Sequence, residues 1–488
     1  RLTEIFAKHG TSGTWYAHAS VGCLHVRPVL NLKQEVDVRK MRTIAEEAFA
    51  MVREYKGSHS GEHGDGLVRS EFHEAMFGKR MVDTFARVKQ LFDPHGTFNP
   101  GKIVNPSKMD DRSLFRFKQG YRVENLNTAL DWSAWGGFSG AVEMCNNNGA
   151  CRKRDAQVMC PSYRATGQEE HLTRGRANTL RLALSGQLGA EAFTSRKMHE
   201  SMQLCVSCKG CRRECPTGVD MAKMKIEFLH HYHSRHGVPA RERLVAELPR
   251  YAPWLSRVSG LANLRNRSRL LKKLGHRVFG LSAERQLPHW ASHPFSDTAY
   301  EAGENRNGEL VLFADTFNRY FDPDVLWAAV RVLTKAGYRV HLPSARGRER
   351  RPLCCGRTYL ASGMTQRAKE EAQRTLNAIQ PYLEAGMAVV GLEPSCLFTF
   401  KDEIPSLLPG EITTRLADQA QMFEQFLLGE GYRGFSQLEW ASSQGQKAFV
   451  HGHCHQKAFN AHGMGAQLMR AIPGLTAEAI PSGCCGMA

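Results

Sequence analysis

Residues 205–215, "CVSCKGCRREC", hold Cys205, Cys208, Cys211 and Cys215, and Pro216 follows the last of them. Three thiolates spaced in this way wrap one corner of an iron–sulfur cube. The fourth, four residues on, points away and reaches a second cluster. Zinc also takes four thiolates, but its structural sites pair two separated Cys-x2-Cys knuckles. The spacing therefore favours iron and predicts a compact helical region around two clusters.

A second cysteine run must then exist. "MCNNNGACRKRDAQVMCPSY" supplies Cys145, Cys151 and Cys160, the last again followed by proline. Cross-pairing of the ferredoxin type assigns Cys205, Cys208, Cys211 and Cys160 to one 4Fe-4S cluster. Cys145, Cys151 and Cys215 fall to the other. Asn148 stands where a regular run has its second cysteine. The second cluster thus holds three irons, uses a non-cysteine ligand or is absent.

The chain has 488 residues, with 42% hydrophobic and 23% charged. Length and composition point to about three globular domains. No apolar run approaches the roughly 20 residues that span a bilayer. Fourteen cysteines, several adjacent, read as reduced metal-binding thiols of a cytoplasmic protein rather than as disulfides. The formal net charge is +17, and basic residues crowd positions 236–286. A solvated basic face is the favoured reading, with peripheral contact to the inner membrane as the alternative. No finger or stacking-aromatic pattern accompanies the charge, so no nucleic-acid partner is expected. A homo-oligomer is expected. The chain begins at Arg1 and ends in "SGCCGMA", and flanking sequence is expected at both ends.

The fold class expected is multidomain, α+β and α/β. Residues 1–106 alternate strands and helices, with "TWYAHASVGCLHVRPVLNL" as strand, turn, strand. "EVDVRKMRTIAEEAFAMVREYKG" reads as a helix capped at Gly57. Residues 107–140 read as a polar linker, 141–290 as a helical two-cluster domain and 291–308 as a second linker. Residues 309–488 read as two strand–helix–strand halves, each ending in "CCG", and hence as a duplicated α/β domain.

His18 and His25 flank a turn at Gly22, and Glu62 and His63 lie in "SGEHGDGLVR". Two histidines near a turn, with a Glu-His pair in a glycine-rich loop, suit a divalent metal as readily as a structural role. Gly61, Gly64 and Gly66 permit close backbone approach to a flat ligand.

"SGEHGDGLVRSEF" together with "LFDPHGTFNPGKIV" resembles the C-terminal half of the FAD-linked oxidases related to vanillyl-alcohol oxidase. The resemblance implies that the FAD pyrophosphate is bound by a half preceding Arg1. It implies that His18, His25 and Glu62 hold a divalent metal, usually zinc, and that His63 is the general base. It also implies that Asn99, in "FNPGK", lies against the flavin, beside Gly61 and Gly64. "YAHASVGCLHVRP", "MCPSYRAT", "CKGCRRECPTGVDMAK" and "LEPSC" extend the resemblance along the whole chain. It is to large bacterial dehydrogenases that join an FAD domain, a ferredoxin-like domain and a cysteine-rich CCG domain.

Cys354, Cys355, Cys396, Cys454, Cys484 and Cys485 resemble the cysteine-rich domain of heterodisulfide reductase and glycolate oxidase subunits, where paired CCG motifs hold an iron–sulfur cluster. Asp315, Thr316 and Phe317 stand where the first half of that pattern has a cysteine. A vestigial domain with buried cysteines is the alternative.

Together these resemblances imply oxidation of a D-2-hydroxyacid, first D-2-hydroxyglutarate to 2-oxoglutarate, with D-lactate or glycolate as alternatives. Hydride passes to FAD, and the clusters drain the flavin one electron at a time to a quinone or a soluble carrier. A heterodisulfide-reductase-like electron-transfer subunit is the remaining alternative.

Overall fold

The computed structural model describes residues 1–61, 64–155, 157–296, 300–345, 351–441 and 443–485. The chain forms two compact units, Arg1–Arg122 and Val123–Ala488. Mixed helix and sheet content fits the expected α+β and α/β class.

In the first unit, strands β1 (Gly13–His18) and β2 (Cys23–Pro28) form an antiparallel hairpin. Gly22, at φ 65°, closes its turn, a backbone angle that L side chains disfavour. The register pairs His18 with Cys23 and Tyr16 with His25. Directly opposed residues share a face, as do residues two apart, so both histidines stand on one face of the hairpin. The helix Glu35–Glu54 buries Val38, Ile44 and Met51 and carries Glu35 and Asp37 in its first turn, where carboxylates suit the helix dipole. Lys56, at φ 55°, takes the left-handed position after this helix, one residue before the expected Gly57. The helix Lys79–Phe92 follows. Asp93 then accepts bonds from the Thr97 and Phe98 amides, 2.8 Å each, and so shapes the loop that carries Asn99.

In the second unit, Leu130, Trp132 and Phe138 are core residues, although they lie in the stretch read as a polar linker. Glu227 accepts the Ala129 amide at 2.8 Å, and the Leu130 amide and Trp132 Nε1 at 3.0 Å each. A carboxylate far along the chain thus ties this segment down. The helices Thr173–Leu184 and Met221–His236 surround the cysteine runs.

A five-stranded sheet follows. Its strands are β3 (Tyr300–Ala302), β4 (Gly308–Phe313), β5 (Tyr338–Leu342), β6 (Ala388–Gly391) and β7 (Ala420–Met422), in the order β3-β5-β4-β6-β7. β4 runs parallel to β5 and β6, β6 runs parallel to β7, and β3 is an antiparallel edge. β6 is buried along its whole length, as expected where helices cover both faces of a parallel sheet. Among the described residues, the second half holds only β8 (Lys447–Val450) and β9 (Thr476–Ala479), paired in parallel. The halves are therefore unequal. β8 alternates exposed and half-buried residues, too little apolar surface to sit at the centre of a larger sheet. Among the described residues, no helix is long and apolar enough to cross a membrane.

Candidate functional site

Cys160, Cys205, Cys208 and Cys211 line one small cavity with Arg176 and Lys209. Backbone geometry makes them converge. Cys160, Ser207 and Lys209 take left-handed φ values of 54°, 52° and 58°, which non-glycine residues adopt where the surroundings enforce it. Glu214 accepts the Val158 and Met159 amides at 2.8 and 2.9 Å, holding the Cys160 segment against the other run. A Cβ on Gly210 would stand 2.9 Å from the Met159 nitrogen, so only glycine permits this approach.

The donor set fits an iron–sulfur cluster. The Thr173 amide donates to Cys160 Sγ at 3.2 Å, and the Met221 amide to Cys211 Sγ at 3.3 Å. Burial pushes the thiols of Cys160, Cys208 and Cys211 upward, and each is further raised by neighbouring cysteines. Sulfurs packed in this way cannot all ionise unless a cation sits among them, and bound iron supplies that charge.

Cys145 and Cys151 are both buried. Burial pushes the Cys151 thiol up to about 11, with Cys160 and Cys145 among the charges that add to the rise. Cys215 caps the helix Gly210–Glu214 and lies 3.3 Å from Thr217 Oγ1. Asn148 Oδ1 accepts the Ala150 amide at 2.8 Å, a turn bond made by the side chain at the position of the absent cysteine.

Cys354, Cys355 and Cys396 form a second buried group. Hydrogen bonding to Cys355, then burial, raises the Cys354 thiol, while burial leads the rise at Cys355. At Cys396 the bond to Cys355 opposes burial, Asp315 and Glu393, and the thiol still stands at about 12. Asp315 is an N-cap here, accepting the Phe317 and Asn318 amides at 2.9 and 3.0 Å, and burial lifts its carboxyl to about 6. Cys454 groups with Cys484 and Cys485, and burial followed by their charges raises it to about 11. Gly486, of the second CCG, lies outside the described residues. Cys454 also raises the Cys208 thiol, so this group neighbours the first cavity. His455 Nε2 lies 3.0 Å from the Ser207 carbonyl, tying the "HGHCH" stretch to the cluster loop.

Buried cations around these thiols escaped the sequence reading. Arg176 is 1% exposed and donates to the His171 carbonyl at 2.7 Å and the Ser201 carbonyl at 2.9 Å. Lys209 Nζ lies 2.6 Å from Glu403, and Arg357 lies 2.7 Å from the same carboxylate. In sequence, Arg176 belongs to an ordinary basic helix. Only the doubled Cys-Pro pattern flanking it hinted at a buried site.

In the first unit, the rings of His18 and His25 meet edge to face with centroids 5.1 Å apart. Glu62 and His63 lie outside the described residues. A Cβ on Gly61 would stand 2.7 Å from Cys23 Sγ, so Gly61 itself rests against the histidine-bearing face. Gly64 takes φ 70°, and Asn99 is exposed at φ 46°. Two imidazoles on one hairpin face are suitable donors for a borderline divalent ion. His59, Asp65 and His73 form a further group of possible ligands. His73 Nε2 lies 2.9 Å from Asp65, and His59 Nε2 lies 3.6 Å from it. Burial lowers the His59 pKa, opposed by Asp65. The sequence signal for this group was only the histidine at either end of the glycine-rich loop.

Residues 1–103 match the family model "FAD linked oxidases, C-terminal domain", and residues 141–219 match "4Fe-4S dicluster domain". The D-2-hydroxyglutarate dehydrogenase of Escherichia coli K12 is 27% identical over 99% of this chain and 50% of its own length. That of Pseudomonas putida is 28% identical over 81% of this chain and 42% of its own. One subunit of the anaerobic glycerol-3-phosphate dehydrogenase of Escherichia coli K12 is 24% identical over 49% of this chain and 57% of its own. No solved structure matches. The chain spans about half the length of the first two relatives. It carries the C-terminal domain of FAD-linked oxidases followed by a 4Fe-4S dicluster domain.

Proposed function

We propose that this chain is the substrate-side and electron-transfer portion of a flavin-dependent D-2-hydroxyacid dehydrogenase, with D-2-hydroxyglutarate as substrate. The observation that carries the reading is a hairpin face bearing His18 and His25, on a chain whose Cys160, Cys205, Cys208 and Cys211 line one cavity. Similarity to D-2-hydroxyglutarate dehydrogenases over 99% of the chain supports the substrate.

His18, His25 and Glu62 hold a divalent ion, zinc being the best fit to imidazole and carboxylate donors. The ion supplies Lewis-acid polarisation of the substrate hydroxyl, and FAD supplies the hydride acceptor. His63 takes the hydroxyl proton at a ring nitrogen. Asn99, Gly61 and Gly64 lie on the flavin side, and exposed Phe92 and Phe98 offer apolar contact there. Cys160, Cys205, Cys208 and Cys211 hold one 4Fe-4S cluster. Cys145, Cys151 and Cys215 serve a second, and the CCG cysteines extend the route. A flavin delivers two electrons and a cluster accepts one, so several thiol groups in one unit suit stepwise transfer.

The acceptor is a quinone at an anionic membrane surface. The helix Arg269–Phe279 is basic and exposes Leu270, Leu274 and Val278, a composition that suits such a surface. Flotation with anionic liposomes that shows no salt-sensitive binding removes this part and leaves a soluble carrier.

Steady-state rates of the full-length protein on D-2-hydroxyglutarate, D-lactate and glycolate test the substrate. The reading expects the highest kcat/KM for the first. A second reading, an electron-transfer subunit without its own substrate, draws on the similarity to the glycerol-3-phosphate dehydrogenase subunit. Absence of bound flavin in the full-length protein would favour it.

A further inference from the structure

His199, His233 and Glu242 come from three helices of the second unit, Arg196–Gln203, Met221–His236 and Ala240–Ala246. One ligand atom from each lies within 4.8 Å of the others. None of the three belongs to a cysteine motif or to the flavin-side residues.

The second helix fixes its imidazole as a metal ligand would be fixed. His233 Nδ1 lies 2.9 Å from the Ser362 carbonyl, and a carbonyl there requires the proton on Nδ1. Nε2 then carries a lone pair. It is buried, and no hydrogen bond from the described residues reaches it, although the side chain is only 3% exposed. A backbone carbonyl behind one ring nitrogen, with the other left for the ion, is the usual support of a metal-bound histidine.

The spacing to the carboxylate also suits an ion. His233 Nε2 lies 3.6 Å from Glu242, too long for a hydrogen bond. Two ligands of a tetrahedral zinc, each about 2.0–2.1 Å from it, stand about 3.3 Å apart. Tyr232 stacks on His199 with centroids 4.4 Å apart and planes 14° from parallel, restricting the third ligand.

We infer that His199, His233 and Glu242 bind one divalent ion of the zinc class, leaving a fourth position for water. The ion braces three helices, the first of which leads through Leu204 into Cys205. It is a structural site separate from the flavin-side metal proposed above.

The test uses the full-length protein with its iron–sulfur content intact, compared with His199→Ala and Glu242→Gln. Both side chains are partly exposed, and iron and sulfide content reports the fold independently. Zinc is titrated by equilibrium dialysis, and cobalt is then substituted and followed by visible absorption. Wild type should bind one more zinc per chain than either variant. It should also show the d–d bands of a tetrahedral nitrogen–oxygen site that both variants lack. Equal zinc stoichiometry and identical cobalt spectra in all three proteins overturn the inference. If the alanine variant loses iron, Glu242→Gln decides alone, because it keeps size and hydrogen bonding while removing the charged ligand. Zinc lost in both variants, with a parent protein that does not oxidise D-2-hydroxyacids, would sink the flavin-side reading and leave this site standing.

Discussion

Lys209 Nζ lies 2.6 Å from the Glu403 carboxylate, with the two side chains 1% and 0% exposed. Arg357 lies 2.7 Å from the same carboxylate. Lys209 stands between Cys208 and Cys211, and Arg357 directly follows the Cys354-Cys355-Gly356 turn. One buried anion therefore joins the cluster loop to the first CCG segment. Burial opposes the Lys209 charge, but Asp402 and Glu403 outweigh it and raise its pKa. Removing one member leaves this buried charge group short of a counter-charge, and breaking a buried pair costs about 3–5 kcal/mol. Glu403→Gln and Lys209→Met should each lower the unfolding free energy of the second unit by up to that measure, seen as a lower urea midpoint. A midpoint within error of wild type would show that the pair is not buried in solution.

The approach of the two cysteine runs depends on Gly210 and Glu214. Gly210→Ala would put a Cβ against the Met159 backbone, where no flexible side-chain end can move aside. Glu214→Ala would release the Val158 and Met159 amides. Both variants, like Cys160→Ser, should lose about one cluster's worth of iron and sulfide per chain, the content of a single cube. Chemical analysis after anaerobic purification checks this. Full retention of iron by Cys160→Ser would exclude it as a ligand.

Glu227 predicts a pH dependence. Burial alone would raise its pKa, but His231, the Trp132 indole and the Ala129 and Leu130 amides outweigh burial and lower it below the usual 4.5. A carboxyl depressed in the folded state stabilises the fold above its unfolded pKa. That contribution falls away as pH drops below about 4.5 towards the folded value. Glu227→Gln should lose about 1.5–3 kcal/mol at pH 7, the range for hydrogen bonds to a charged group. Its stability should also be flatter than that of wild type below pH 5, as urea midpoints across pH 3–7 would reveal. Parallel curves would contradict this role.

Gly61→Ala separates the two halves of the proposed chemistry. Its Cβ would meet Cys23 Sγ at 2.7 Å, pushing Gly61 off the hairpin face. Substrate oxidation should fall at least tenfold while iron content stays at the wild-type value, since a shift of about 1 Å near a reacting centre can cost 10²-fold. Unchanged kcat/KM would mean that the loop does not depend on this contact.

The hairpin and the cysteine runs were legible in the sequence because local spacing specifies them. Gly22 marks the turn, and Cys205, Cys208 and Cys211 need only their intervals. Residues whose role is set by distant partners were not legible. Leu130 and Trp132 read as linker because Glu227, which ties them down, lies on another helix. Arg176 and Lys209 read as surface charge because burial of a cation depends on the carbonyls and carboxylates packed around it. The "CCG" repeats suggested equal lobes, yet strand number depends on apolar surface that β8 and β9 do not supply.

The proposed function requires that a D-2-hydroxyacid deliver its electrons through flavin to thiolate-bound iron. Anaerobic mixing of full-length protein with D-2-hydroxyglutarate, followed by freeze-quench electron paramagnetic resonance, tests it most directly. A reduced 4Fe-4S signal should appear within turnover time, and the share owed to the Cys160 cluster should be missing from Cys160→Ser. Flavin bleaching with no cluster signal in wild type, at a kcat equal to that of Cys160→Ser, would contradict it.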